Sequence, residues 1–104
     1  MKPLVRRKRA DKDVEAAIRY YLKGSPAVAL GFVNALEQTY RQIQHRPAIG
    51  STRYAHELNL PGLRFRKCKR FPYLVFYVEG AHQIDIWRVL HGSRDIPGWF
   101  QNEA

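Results

Sequence analysis

Apolar residues recur with a helical period in the first half of the chain and with a strand period in the second. Val14, Ala17, Ile18, Tyr21 and Leu22 fall at i, i+3, i+4, i+7 and i+8, which is one face of a helix. Asp11 is placed to cap that helix, with Asp13 and Glu15 near the positive end of its dipole and Gly24 closing it. Ser25-Pro26 then opens a second helix, a capping serine followed by proline at the first helical position. Its stripe is Ala29, Phe32, Val33, Leu36, Tyr40 and Ile43, and it runs to about His45, where Pro47 and Gly50 end it. So short a turn between two helices predicts an antiparallel hairpin.

Leu4-Val5 reads as a short first strand, and residues 49–61 as an irregular loop. A strand is predicted over Leu63–Arg70, a turn at Phe71-Pro72, and a central strand over the apolar run Tyr73–Val78. Gln83–Leu90 alternates, with Ile84, Ile86, Arg88 and Leu90 pointing one way and Asp85, Trp87 and Val89 the other. Gly92 breaks that strand, and Asp95 is placed to cap a last short helix with Pro97 in its first turn. The predicted order is β-α-α-β-β-β-α. That is an α+β fold: an antiparallel sheet with an N-terminal helical hairpin packed on one face. At 104 residues, 1–104 is expected to form a single domain.

Charge narrows the partners. Lys and Arg number 18 against 9 acidic residues, a net charge of +9, which implies an anionic partner. Lys2, Arg6, Arg7, Lys8 and Arg9 crowd the amino end, and Arg64, Arg66, Lys67, Lys69 and Arg70 crowd a second segment. A solvated basic face is the plain alternative for either cluster. The single cysteine, Cys68, excludes an internal disulfide and fits a reducing compartment; it reads as a buried spacer on a strand. With no long apolar run and no apolar segment after the basic amino end, a cytoplasmic location is expected.

Few catalytic patterns are present. His45, His56, His82 and His91 lack ligand spacing, and there is no cysteine pair, so neither a metal nor a cofactor is expected. There is no Gly-x-Ser-x-Gly elbow and no glycine-rich phosphate loop. Acid–base cleavage of RNA is the enzymatic option. It needs a base for the 2′-hydroxyl, cations for the phosphate and an acid for the leaving oxygen. Arg66, Lys67, Lys69, His91 and Arg94 are the residues that would serve, if strand pairing brings them together. Arg88, on an apolar strand face, needs a partner at the core margin, for which Asp95 and Glu57 are candidates.

The paired helices AALGFVNALEQTYRQIQHRPAIG, the strand pair LRFRKCKRFPYLVFYV and the ending IDIWRVLHGSRDIPGWF resemble the RelE/ParE superfamily of toxins from type II toxin–antitoxin systems, the ParE branch in particular. The His-Gly-x-Arg-Asp ending, His91 to Asp95, is the most specific element. The resemblance implies a toxin neutralised by a cognate antitoxin, in a hetero-oligomer with it. ParE-type members poison DNA gyrase; RelE-type members cut mRNA on the ribosome. RelE-like toxins often carry a carboxy-terminal tyrosine, whereas this chain has Trp99 and Phe100, which stack but move no proton. The resemblance therefore favours gyrase inhibition without enzymatic activity, with ribosome-dependent endoribonuclease as the alternative. Target contacts are expected among Arg64, Arg66, Lys67, Lys69, Arg70, Arg88, His91, Arg94, Trp99 and Phe100. Antitoxin contacts, to an acidic segment, are expected among Tyr21, Phe32, Leu36, Tyr40, Phe65 and Arg66.

Overall fold

The computed structural model describes residues 1–100. It comprises β1 (Leu4–Arg6), α1 (Lys8–Gly24), α2 (Pro26–His45), a 3-10 turn (Pro47–Ile49), α3 (Arg53–Glu57), β2 (Leu63–Lys67), β3 (Tyr73–Glu79), β4 (Ile84–His91) and α4 (Ile96–Trp99). The α+β class and the helix–strand order agree with the reading of the sequence. One sheet in the order β1-β4-β3-β2 carries the α1–α2 hairpin on one face.

The sheet is mixed rather than antiparallel throughout. β2, β3 and β4 form the antiparallel meander, but β1 runs parallel to β4, with Leu4 opposite Ile84 and Arg6 opposite Ile86. β1 enters the sheet beside the last strand instead of by a hairpin turn, so no local turn dictates its direction.

The hairpin buries Ala10 and Ala17 from α1, and Ala29, Phe32, Leu36, Thr39 and Ile43 from α2. Thr39 breaks the apolar pattern, and its buried hydroxyl is satisfied by donating to the Ala35 carbonyl at 2.8 Å. Leu22 lies outside the stripe and is half exposed. Helix α1 starts earlier than expected: Arg7 occupies the N-cap without a side-chain cap, and Asp11 sits in the first turn. Ser25 caps α2 as expected, its hydroxyl accepting from the Val28 N–H at 3.4 Å.

A register shift reverses half of β4. Phe76 faces Arg88 while Tyr77 faces Ile86, which leaves Trp87 as an extra residue in a β-bulge. Before the bulge Ile84 and Ile86 meet the helices; after it Val89 does, and Leu90 turns to the other face. Arg88 therefore does not share a face with Ile84 and Ile86. The second face has its own core of Leu63, Phe76, Leu90, Ile96 and Phe100. Tyr54, Ala55, Leu58 and Leu60 cover it, which explains α3 within the segment expected to be irregular loop. β2 ends at Lys67, three residues short of the expected Arg70. Lys69 and Arg70 lie in the turn, where Arg70 takes a left-handed φ of 70°.

Candidate functional site

The carboxyl end of β4 and the adjoining face of α1 form a cleft of about 340 Å³, with Asp13, Tyr20, Tyr73, His91, Arg94 and Trp99 along its walls. Its base is an ion pair. Arg88 Nε and Nη2 donate to the two carboxylate oxygens of Asp13 at 2.8 and 2.9 Å. Asp13 Oδ2 also accepts from the Val89 N–H at 3.0 Å, at a point where β1 no longer covers the β4 edge. Arg88 Nη1 donates to the Trp99 carbonyl at 3.0 Å, tying the last helical turn to the sheet. The guanidinium is 3% exposed, so the partner expected at Asp95 or Glu57 is Asp13, and Arg88 holds the site together rather than presenting itself to a target.

The signature ending shapes the mouth of the cleft. His91 Nδ1 accepts from the Ser93 backbone N–H at 3.1 Å and lies 2.7 Å from the Ser93 hydroxyl. With Nδ1 accepting that N–H, the ring proton sits on Nε2, which is then a donor. The imidazole packs edge-on against Tyr73 at 5.3 Å. Burial pushes the Tyr73 phenol up, opposed by the Arg94 charge. Arg94 lies over the Trp99 ring at 5.0 Å, a cation held on an aromatic face. Asp95 stands at the N-cap of α4, but its side chain makes no cap bond; its carbonyl accepts from the Trp99 N–H at 3.0 Å. Phe100 turns inward against Phe76 and offers no contact surface.

The basic residues of β2 do not join this cleft. Arg66 Nε donates to Gln42 Oε1 at 3.3 Å on the α2 side, and Lys67 Nζ donates to the Cys68 carbonyl at 3.2 Å. Arg64 Nη1 donates to the Gly50 and Ala48 carbonyls at 2.9 and 3.2 Å and pins the loop after α2. Between β2 and the His91 cleft, Tyr21, Phe32, Phe71 and Tyr73 pack into one aromatic cluster. The residues that a nuclease would need thus line separate cavities.

Among the residues expected to meet an antitoxin, Phe32 and Leu36 are core and present no surface. Tyr21 and Phe65 are half-buried in ring contacts. Tyr40 is half-buried, its phenol is pushed up by burial, and its hydroxyl has no partner among the described residues. The sequence does not mark Asp13, Tyr20 or Tyr73 as site residues; it sets Ser93 beside His91 without implying an aligned pair, and the structure brings the two side chains to 2.7 Å. Tyr20 alone left a signal, as a large aromatic off the apolar stripe; it is 67% exposed.

Cys68 is fully buried, and burial raises its thiol pKa against the lowering effects of Thr39 and Lys67. Native protein should therefore react with an aromatic disulfide reagent at neutral pH only at the rate of unfolding, and at once in denaturant. Rapid stoichiometric labelling of the native protein would contradict the burial.

Among the described residues no three of His, Cys, Asp and Glu are grouped to hold a metal ion, and no helix is long and apolar enough to cross a membrane. The family model for the ParE toxin of type II toxin–antitoxin systems, parDE, matches residues 4–96. A solved chain described as "Chromosomal ParDE TA system from P. aeruginosa" superposes with a TM-score of 0.73 at 23% identity, over 88% of this chain and 96% of that one. That likeness is one of fold. No curated protein sequence matches significantly. Since the family match takes in both helices, the whole sheet and the His-Gly-x-Arg-Asp ending, this chain belongs to the ParE toxin family of type II toxin–antitoxin systems.

Proposed function

We propose that this toxin inhibits DNA gyrase by binding it, without hydrolytic chemistry of its own, and is neutralised by direct contact with its antitoxin. The observation that carries this reading is the state of His91. Its Nδ1 lone pair is engaged by Ser93, its Nε2 is a donor, and the β2 cations line another cavity. A general base needs a free lone pair beside the group it deprotonates, with cations at the same phosphate. A donor histidine beside an arginine stacked on a half-exposed tryptophan has instead the make-up of a protein-binding hot spot.

The antitoxin is assigned to the closed end of the helical hairpin. Tyr20, Leu22, Val28 and Leu30 are exposed there, within ten residues of one another around the Gly24–Ser25 turn. An apolar face of an amphipathic segment would bury them. An acidic segment would also offset the net charge of +9.

Toxin separated from its antitoxin should block gyrase supercoiling and leave ribosome-bound mRNA intact. Arg94→Ala and Trp99→Ala should each weaken gyrase inhibition about tenfold or more, as loss of a hot-spot side chain does. Cleavage of mRNA with supercoiling unaffected would replace this reading with the ribosome-dependent nuclease.

A further inference from the structure

The cations of this protein are held differently at its two edges. Near the amino end, Lys2 Nζ lies 2.7 Å from Glu79 Oε2, Arg6 Nε lies 3.2 Å from Asp11 Oδ1, and Arg7 stacks over the Trp87 ring at 4.1 Å. At the β2 edge, α2 and the β2–β3 turn enclose a groove. Three adjoining concavities of about 660, 320 and 500 Å³ make it up, and Gln38 lines all three. Arg41, Arg46, Arg66, Lys67, Lys69 and Arg70 lie along its walls, and no carboxylate lines it among the described residues. Arg41 has Glu37 at 4.0 Å, a solvent-exposed pair of little strength.

The make-up of the groove selects its ligand. The exposed large apolar side chains of the molecule lie elsewhere, at the hairpin turn, the amino end and Trp99. A protein partner would want an apolar centre depleted of charge. Six cations and several amides with no carboxylate opposing them among the described residues match a surface for phosphates. Phe65 packs on Tyr54 and Phe76 at 5.6 and 5.5 Å, and Phe71, at one end of the groove, packs on Tyr21 and Phe32 at 5.3 and 5.5 Å. The α2 wall from Gly31 to Arg46 is about 22 Å long at ~1.5 Å per residue. That spans about three or four successive phosphates of one DNA strand, which lie roughly 7 Å apart along the strand.

We propose that this groove binds the phosphodiester backbone of duplex DNA without regard to base sequence. One strand's phosphates lie along it, met by Arg46 and Arg66 on one wall and Lys69 and Arg70 on the other. This inference stands apart from gyrase inhibition and needs no gyrase to be tested.

The probe is a fluorescent 20-base-pair duplex, titrated with antitoxin-free toxin across a salt series. Contact with three or four phosphates predicts a log–log salt slope of about −3. Arg46→Glu with Lys69→Glu removes two exposed contacts. The slope should become shallower by about two and binding should fall about tenfold or more. Lys12→Glu with Lys23→Glu makes the same change in net charge on exposed α1 positions and should retain the slope and most of the affinity. Circular dichroism checks each fold, and Arg46→Gln with Lys69→Gln serves if charge reversal disturbs it.

Equal losses in the two doublets would overturn the proposal, because net charge alone would then explain binding. Tighter binding to a single strand, or to an RNA duplex of the same length, would also overturn it. So would a groove doublet that keeps DNA but loses the antitoxin, since the groove would then be a protein interface. Supercoiling assays on the same variants are read separately, so failure of DNA binding and failure of gyrase inhibition remain distinguishable.

Discussion

Asp13→Ala should remove about 3–5 kcal/mol of folding stability, the usual cost of stranding one member of a buried ion pair. Three hydrogen bonds end on this carboxylate, two from Arg88 and one from the Val89 amide. The substitution removes the Asp13 carboxylate from Arg88, which is 3% exposed, and from the strand-edge Val89 N–H. Against a domain stability of ~5–15 kcal/mol that is a large fraction. Urea unfolding followed by circular dichroism would read it as a lower midpoint with an unchanged slope. Asp13→Leu with Arg88→Met should be more stable than either single variant, because it removes both buried charges together. If Asp13→Ala unfolds within ~1 kcal/mol of the parent, the pair is not the keystone described above. Arg88 also holds the Trp99 carbonyl, so the same variant should weaken gyrase inhibition through a loosened cleft wall.

Tyr77→Phe should cost about 2–3 kcal/mol, from the loss of one oxygen atom. The ring is fully buried, and its hydroxyl donates to the Pro47 carbonyl at 2.6 Å and accepts from the Gly50 N–H at 2.9 Å. Phenylalanine leaves both loop groups unsatisfied where water does not replace the partner, and each such group costs ~1–3 kcal/mol. Gly50 belongs to the same node: a Cβ there would run into the Tyr77 ring and hydroxyl and the Arg64 Cβ. Gly50→Ala should therefore destabilise although the backbone at Gly50 is ordinary extended chain, with φ −72°. Thermal melts of the two variants and the double variant give the check. Fully additive losses would show that Tyr77 and Gly50 do not act as one unit.

Much of this architecture is legible because it is local. The helical stripes of α1 and α2, the Ser25-Pro26 restart and the apolar run of β3 are set by periodicity and capping, which depend on near neighbours. The short α3 was not legible, since five residues are too few to show a period. The β4 alternation misled because a bulge leaves no mark in composition. One extra residue at Trp87 turns Leu90 to the opposite face from Ile86. The candidate sites divide the same way. Arg94 and Trp99 were visible in the ending and do meet in the cleft. Phe32, Leu36 and Phe100 are core and not contact surface, since an apolar residue in sequence does not say whether anything covers it.

By itself the sequence determined the class of fold, the family ending and the excess of positive charge. These follow from short-range patterning and from counting, neither of which needs a partner across the chain. Tertiary structure alone decided that Asp13 pairs with Arg88 across 75 positions. It also decided that Arg64 serves a loop while Arg66 joins a groove, and that the β2 cations and His91 line separate cavities. Those outcomes depend on which strands become neighbours and where a register slips, and such long-range choices are made by the packing of the whole core.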